Sequence, residues 1–147
     1  MKTLLVVGLV GFAIGFVGPT FAQEKTIILP RVRQQIEAVF MQFQEAYNNH
    51  DVDGIVSLYA EDAVDVREWQ GAASGREAIG KRFVADFAIS PGKMVNKIVQ
   101  LYPIGSQICA ISSSDLGGTL GDFVTVYDHH ADGWKIRVAY FGLYFPK

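Results

Sequence analysis

The sequence predicts an α+β fold: three N-terminal helices packed on a curved, mostly antiparallel sheet that curls around a cone-shaped cavity. Three observations carry this expectation. Between Pro30 and Tyr59 apolar residues recur at three- and four-residue intervals, and after Pro91 the pattern changes to alternation in four successive segments. The 147 residues, 50% of them hydrophobic, bury a sizeable core only as a single unit. Helices segregated from a later run of strands mark an α+β domain with the helices on one sheet face.

Lys2, the uncharged run Leu4 to Val17 and the small residues around Thr20-Phe21-Ala22 predict a cleaved export signal over residues 1–22. A single domain over residues 23–147 is then expected, in a secreted or periplasmic location. As a helix the apolar run would reach about 21 Å, short of a hydrocarbon core of roughly 30 Å, so no stable membrane anchor is expected after cleavage. Cys109 is the only cysteine, so no intramolecular disulfide is available; in an oxidising compartment the thiol is buried or paired between chains, and burial is the simpler reading. The net charge of −2 becomes more acidic by one once Lys2 leaves. No basic field of the kind that neutralises phosphates remains, which argues against a nucleic-acid partner.

Pro30 suits the first turn of a helix, and Val32, Ile36, Val39, Phe40, Phe43 and Tyr47 form its buried face. Asn48-Asn49-His50 breaks the period. Asp51 can cap a second short helix, with Asp53 in its first turn and Ile55, Leu58 and Tyr59 inward, ending near Ala60. From Ala63 the alternation puts Ala63, Asp65 and Arg67 on one strand face and Val64 and Val66 on the other. Trp69 to Gly75 reads as a loop, and Ser74 with Glu77 as a capping box for a third helix carrying Ile79, Phe83 and Phe87. Pro91-Gly92 ends that helix.

Strands are expected near 93–102, 107–114, 119–130 and 134–144, with turns at Pro103-Ile104-Gly105-Ser106 and Ala131-Asp132-Gly133. Phe123, Thr125 and Tyr127 share one face; Trp134, Ile136, Val138 and Tyr140 are assigned to one face of the last strand.

Phe43 to Ala63, FQEAYNNHDVDGIVSLYAEDA, resembles the opening signature of the nuclear transport factor 2-like superfamily in its SnoaL-like and ketosteroid isomerase-like branch. Gly75-Arg76-Glu77-Ala78-Ile79 and Asp132-Gly133-Trp134-Lys135-Ile136 support the resemblance in the same order. It implies the cone fold; the activity varies within the superfamily, from isomerases and dehydratases to binding modules. Steroid isomerases of this type carry a general-base Asp where an ungapped register places Arg67, and an oxyanion-binding Tyr where it places Phe43. The second oxyanion donor, a protonated Asp, falls on Val124, with Asp122 two residues away on the same face. Steroid isomerisation by that mechanism is not expected. The resemblance also implies a homodimer through the sheet face turned from the cavity, for which Phe141, Leu143 and Phe145 are candidates.

Asp65 and Arg67, two apart on a strand, point the same way. If that face is the cavity they form an internal charged pair able to hold a polar ligand; otherwise both are solvated. Tyr47, Trp69, Phe83 and Tyr140 are the aromatic candidates around such a pair. Two functions stay open: a small-molecule binding domain, or a hydrolase, dehydratase or cyclase using Asp65, Asp122 or a tyrosine as acid or base. No metal site is expected, since the adjacent His129 and His130 point to opposite strand faces beside a turn. His50 reads as a corner residue and Ser112, Ser113 and Ser114 lack a nucleophile-elbow context. No cofactor motif is present; Gly117-Gly118 reads as a hairpin turn.

Overall fold

The computed structural model describes residues 27–89 and 92–144. The expected signal over residues 1–22 and the interface candidate Phe145 lie outside the described residues.

Helix α1 (Pro30–Asn48) opens on its proline and buries Ile36, Phe40, Phe43, Ala46 and Tyr47, the stripe the spacing predicts. Each large apolar side chain removed from water contributes roughly 1.5–3 kcal/mol, which fixes the inward face. His50 turns the corner at φ 54 with its ring stacked 4.5 Å from that of Phe87. The Asp51 carboxylate then accepts the Gly54 N–H at 2.8 Å and caps α2 (Val52–Ser57). This helix stops earlier than its spacing implies. The Leu58 carbonyl is taken by the Ile136 N–H at 2.8 Å, so strand pairing overrides a third helical turn.

Strand β1 (Tyr59–Arg67) turns back into β2 (Gly71–Ser74), whose small residues carry no strand signal of their own and were expected to be loop. Gly75, at φ 80, precedes α3 (Arg76–Ala88), and no side chain caps that helix. The expected Ser74–Glu77 capping box is therefore not formed. Glu77 instead pairs with Lys81 at 2.6 Å on the exposed face.

The remaining strands are β3 (Met94–Ile104), β4 (Gln107–Leu116), β5 (Leu120–His130) and β6 (Gly133–Tyr144). The six-stranded sheet runs β2-β1-β6-β5-β4-β3, antiparallel except for the parallel β1–β6 pair, and is not closed into a barrel. Both helices of the main layer cross its inner face, α1 over β3 and β6 and α3 over β1 and β2. The edge strand β3 is tied down by α1. The Asn48 side chain exchanges two hydrogen bonds with the Met94 backbone, at 2.9 and 2.7 Å, and Gln44 accepts from the Asn96 N–H at 2.6 Å.

Register places the inner-face residues in layers. Ala139, Thr125 and Ala110 lie in line with Asp65; Phe141, Phe123 and Ser112 lie in line with Arg67; Leu143, Gly121 and Ser114 form the next layer. A bulge corrects the sequence reading of β6. Val126 pairs with Val138 but Tyr127 pairs with Ile136, so Arg137 is an extra residue and the alternation inverts across it. Arg137 is held there by ion pairs to Asp62 and Asp128. Ile136 therefore faces the core, whereas Val138 and Tyr140 face outward at 36% and 40% exposure. Phe141 and Leu143, expected on the outer face, line the interior instead.

Gly121 is fixed by this packing. A Cβ there would lie 2.7 Å from the Gly142 carbonyl oxygen and 2.8 Å from a Phe141 ring carbon. Gly121→Ala is expected to destabilise the domain by about 1–3 kcal/mol through overpacking, read as a lower urea midpoint; an unchanged midpoint would show that β5 and β6 separate freely.

Candidate functional site

Between α1, α3 and the inner sheet face lies a cavity of about 340 Å³. Phe43 and Tyr47 from α1, Phe83 from α3, and Phe123 and Phe141 from the sheet give it aromatic walls. Trp69 and Ile89, 48% and 81% exposed, line it where it meets solvent. Ala139, Thr125 and Ala110, in line with Asp65, do not line it; that layer is packed into the core, and the sheet floor of the cavity is Phe123, Phe141 and Leu143.

One side of the cavity is ionic. Asp65 and Arg67 point inward from β1 and are 4% and 5% exposed, so their face is the cavity and not solvent. Arg67 Nε donates to Asp65 Oδ1 at 3.0 Å, and Arg67 Nη1 donates to Asp86 Oδ2 at 2.6 Å and to Gln70 Oε1 at 3.4 Å. Arg82 Nη1, from α3, donates to Asp65 Oδ1 at 3.1 Å and to the Asp65 carbonyl at 3.0 Å. The Tyr59 hydroxyl donates to Asp65 Oδ2 at 3.2 Å. Two carboxylates thus face two guanidiniums, with both oxygens of Asp65 engaged. A buried charge is tolerated when it is paired and hydrogen-bonded in this way.

Electrostatics keep these groups in definite states. Burial lowers the Arg67 pKa, but the charges of Asp65 and Asp86 outweigh it and the net shift is upward, so the guanidinium stays charged. It also sits 5.0 Å from the centroid of the Phe83 ring, a cation–π contact. Burial first, and the Asp65 charge second, push the Tyr59 phenol well above its usual value. Tyr47 is pushed up to about 12, chiefly by burial and then by Asp86. Both phenols are neutral donors at physiological pH.

Of the residues singled out from sequence, Tyr47, Asp65, Arg67, Trp69 and Phe83 converge on this cavity. Tyr140 does not: the Arg137 bulge turns it to the outer face. Asp122 is exposed on the outer face of β5, where Phe123 and Thr125 are the inward residues, so it cannot act on anything inside the cavity. Val124 is likewise outward at 36% exposure, and no register shift between these two positions brings a carboxylate inside. His129 and His130 are exposed, with His129 edge-on to Trp134 at 5.0 Å.

Asp86, Arg82 and Tyr59 were missed. Helical spacing held a signal for Asp86, which follows Phe83 by three residues and so shares its face. Nothing in the sequence marked Arg82, whose partners are mostly backbone carbonyls of β1, β2 and the turn between them.

Solved structures place this geometry in a known group. A protein of unknown function with a cystatin-like fold from Nostoc punctiforme superposes with a TM-score of 0.71 at 14% identity, covering 81% of this chain and 97% of that one. A ketosteroid isomerase-like protein from Erwinia carotovora atroseptica gives 0.69 at 16% identity, over 80% of this chain and 100% of the other. A candidate dehydratase of the NTF2-like family from Streptomyces avermitilis gives 0.67 at 16% identity, again over 80% and 100%. At such identities the likeness establishes the fold alone. No curated protein matches the sequence. The family model described as the SnoaL-like domain matches residues 40–144, from the buried face of α1 to the end of β6, and the chain belongs to that SnoaL-like family.

Proposed function

We propose that this SnoaL-like domain binds a small, largely apolar molecule in its cone cavity, body against the aromatic walls and polar end against Arg67 and Asp86. The carrying observation is a charge-balanced ionic network at one side of an otherwise largely apolar hollow of about 340 Å³, within the usual range of ligand pockets. The positions where steroid isomerases hold their base and first oxyanion donor carry Arg67 and Phe43, which supports binding without that chemistry. Titration with 2-octanone, followed by the fluorescence of Trp69 at the cavity mouth, is expected to saturate. Arg67→Lys, which keeps the charge but loses the planar fork, is expected to weaken binding about tenfold. A wild-type protein with no saturable response to 2-octanone or to any eight-carbon probe with another polar end sinks the reading.

A second reading has one observation in its favour. Asp86 engages only Oδ2 with Arg67, while Asp65 is held by Arg67, Arg82 and Tyr59 together. An acid–base role for a cavity carboxylate in a hydrolase, dehydratase or cyclase therefore belongs to Asp86 rather than Asp65. Turnover abolished by Asp86→Asn with ligand binding retained would favour it.

The proposal includes export to a secreted or periplasmic location, and a homodimer through the outer sheet face. Supporting the latter, Val66, Tyr140, Val124 and Ile111 run in register across four strands with no charge among them. A monomer on sizing chromatography at micromolar concentration contradicts it.

A further inference from the structure

The network leaves two hydrogen-bonding sites unspent, side by side. Arg67 uses Nε for Asp65 and Nη1 for Asp86 and Gln70, and its Nη2 meets no acceptor among the described residues. Asp86 uses Oδ2, and its Oδ1 meets no donor among the described residues. The two residues are joined at 2.6 Å and both line the cavity, so the unspent donor and the unspent acceptor belong to one joined pair on its wall.

Charge decides what they can take. Asp65 and Asp86 balance Arg67 and Arg82, and the neutral phenols of Tyr47 and Tyr59 add nothing. A carboxylate ligand would give this buried site a net negative charge and bring an oxygen against Asp86. An ammonium would unbalance it the other way and face Arg67. Each enters only by leaving a desolvated charge uncompensated. A ketone meets Arg67 but strips water from Asp86 Oδ1 without replacing it, and an unmade hydrogen bond to a charged group costs affinity.

Resting on the cavity-binding reading above, we propose that the ligand's polar end is an uncharged group carrying an acceptor and a donor together, of the primary amide or lactam class. The acceptor takes Arg67 Nη2 and the donor serves Asp86 Oδ1.

Four probes of one chain length test this by calorimetry on the intact protein at pH 7: octanamide, 2-octanone, octanoate and octylammonium. Octanamide is expected to bind about tenfold or more tightly than each of the others. Asp86→Ala is expected to bring octanamide down to the level of 2-octanone, because only the acceptor contact is then left. Any of the three others matching octanamide on the wild type overturns the head-group assignment while the cavity reading stands. Saturable binding by none of the four overturns both.

Discussion

Asp65→Ala is expected to lower the unfolding free energy by roughly 3–5 kcal/mol, because it strands the Arg82 guanidinium and takes one of two carboxylates from Arg67 rather than because it deletes a strong bond. Asp65 is 4% exposed and receives Arg67, Arg82 and the Tyr59 hydroxyl. Without it Arg67 keeps Asp86, but Arg82 keeps only backbone carbonyls and Tyr59 loses its acceptor. Urea denaturation with an unchanged slope and a lower midpoint would register the loss. Replacing the whole network together, with Asp65→Leu, Arg67→Met, Arg82→Met and Asp86→Leu, is expected to recover much of it, since buried ionic groups exchanged for apolar residues of similar size often cost little. Such a variant would keep the fold and lose the polar end of the ligand site. A single Asp65→Ala cost below about 1 kcal/mol would mean that water reaches the network and that the ion pairs behave as surface ones.

Phe83→Ala is expected to cost a similar 3–5 kcal/mol, and by a different mechanism. The ring is 3% exposed and packs edge-on to Phe43 at 5.9 Å and to Tyr47 at 6.4 Å while lying beneath the Arg67 guanidinium. Its removal joins new empty volume to an existing cavity, where neighbouring rings have little reason to collapse inward. For a domain of this size the thermal midpoint should fall by about 10–20 °C. An apolar ligand able to occupy the enlarged space should restore part of that shift through preferential binding to the folded state. A fall of only a few degrees would indicate that α3 settles onto the sheet and closes the gap.

These two side chains show why the sequence was readable in some places and not in others. The helical period around Phe83 identified its buried face directly, because a stripe at three- and four-residue spacing has one physical explanation. Strand β1 is harder: its valines, Val64 and Val66, are partly exposed and its charged residues, Asp65 and Arg67, are buried. Alternation grouped the residues correctly but could not say which group turned inward, since that depended on Asp86 and Arg82 arriving from α3. Strand β6 misled for another reason. One unpaired residue, Arg137, exchanges the two faces beyond it, so a strict period of two carried Tyr140 to the wrong side and Phe141 with Leu143 to the other. Strand β2 escaped notice because Gly71-Ala72-Ala73-Ser74 becomes a strand only by pairing with β1.

The parallel pairing of β1 with β6 sets the order in which the site can come into being. A ribosome releases β1 early, yet the only neighbour then available to it is the four-residue β2. Ala139 and Phe141, which flank Asp65 and Arg67, belong to the last twelve-residue strand. Closing so long a loop is paid for in chain entropy before the contact returns anything. The β1 side of the pocket is therefore complete only once β6, far along the chain, has inserted between β1 and β5.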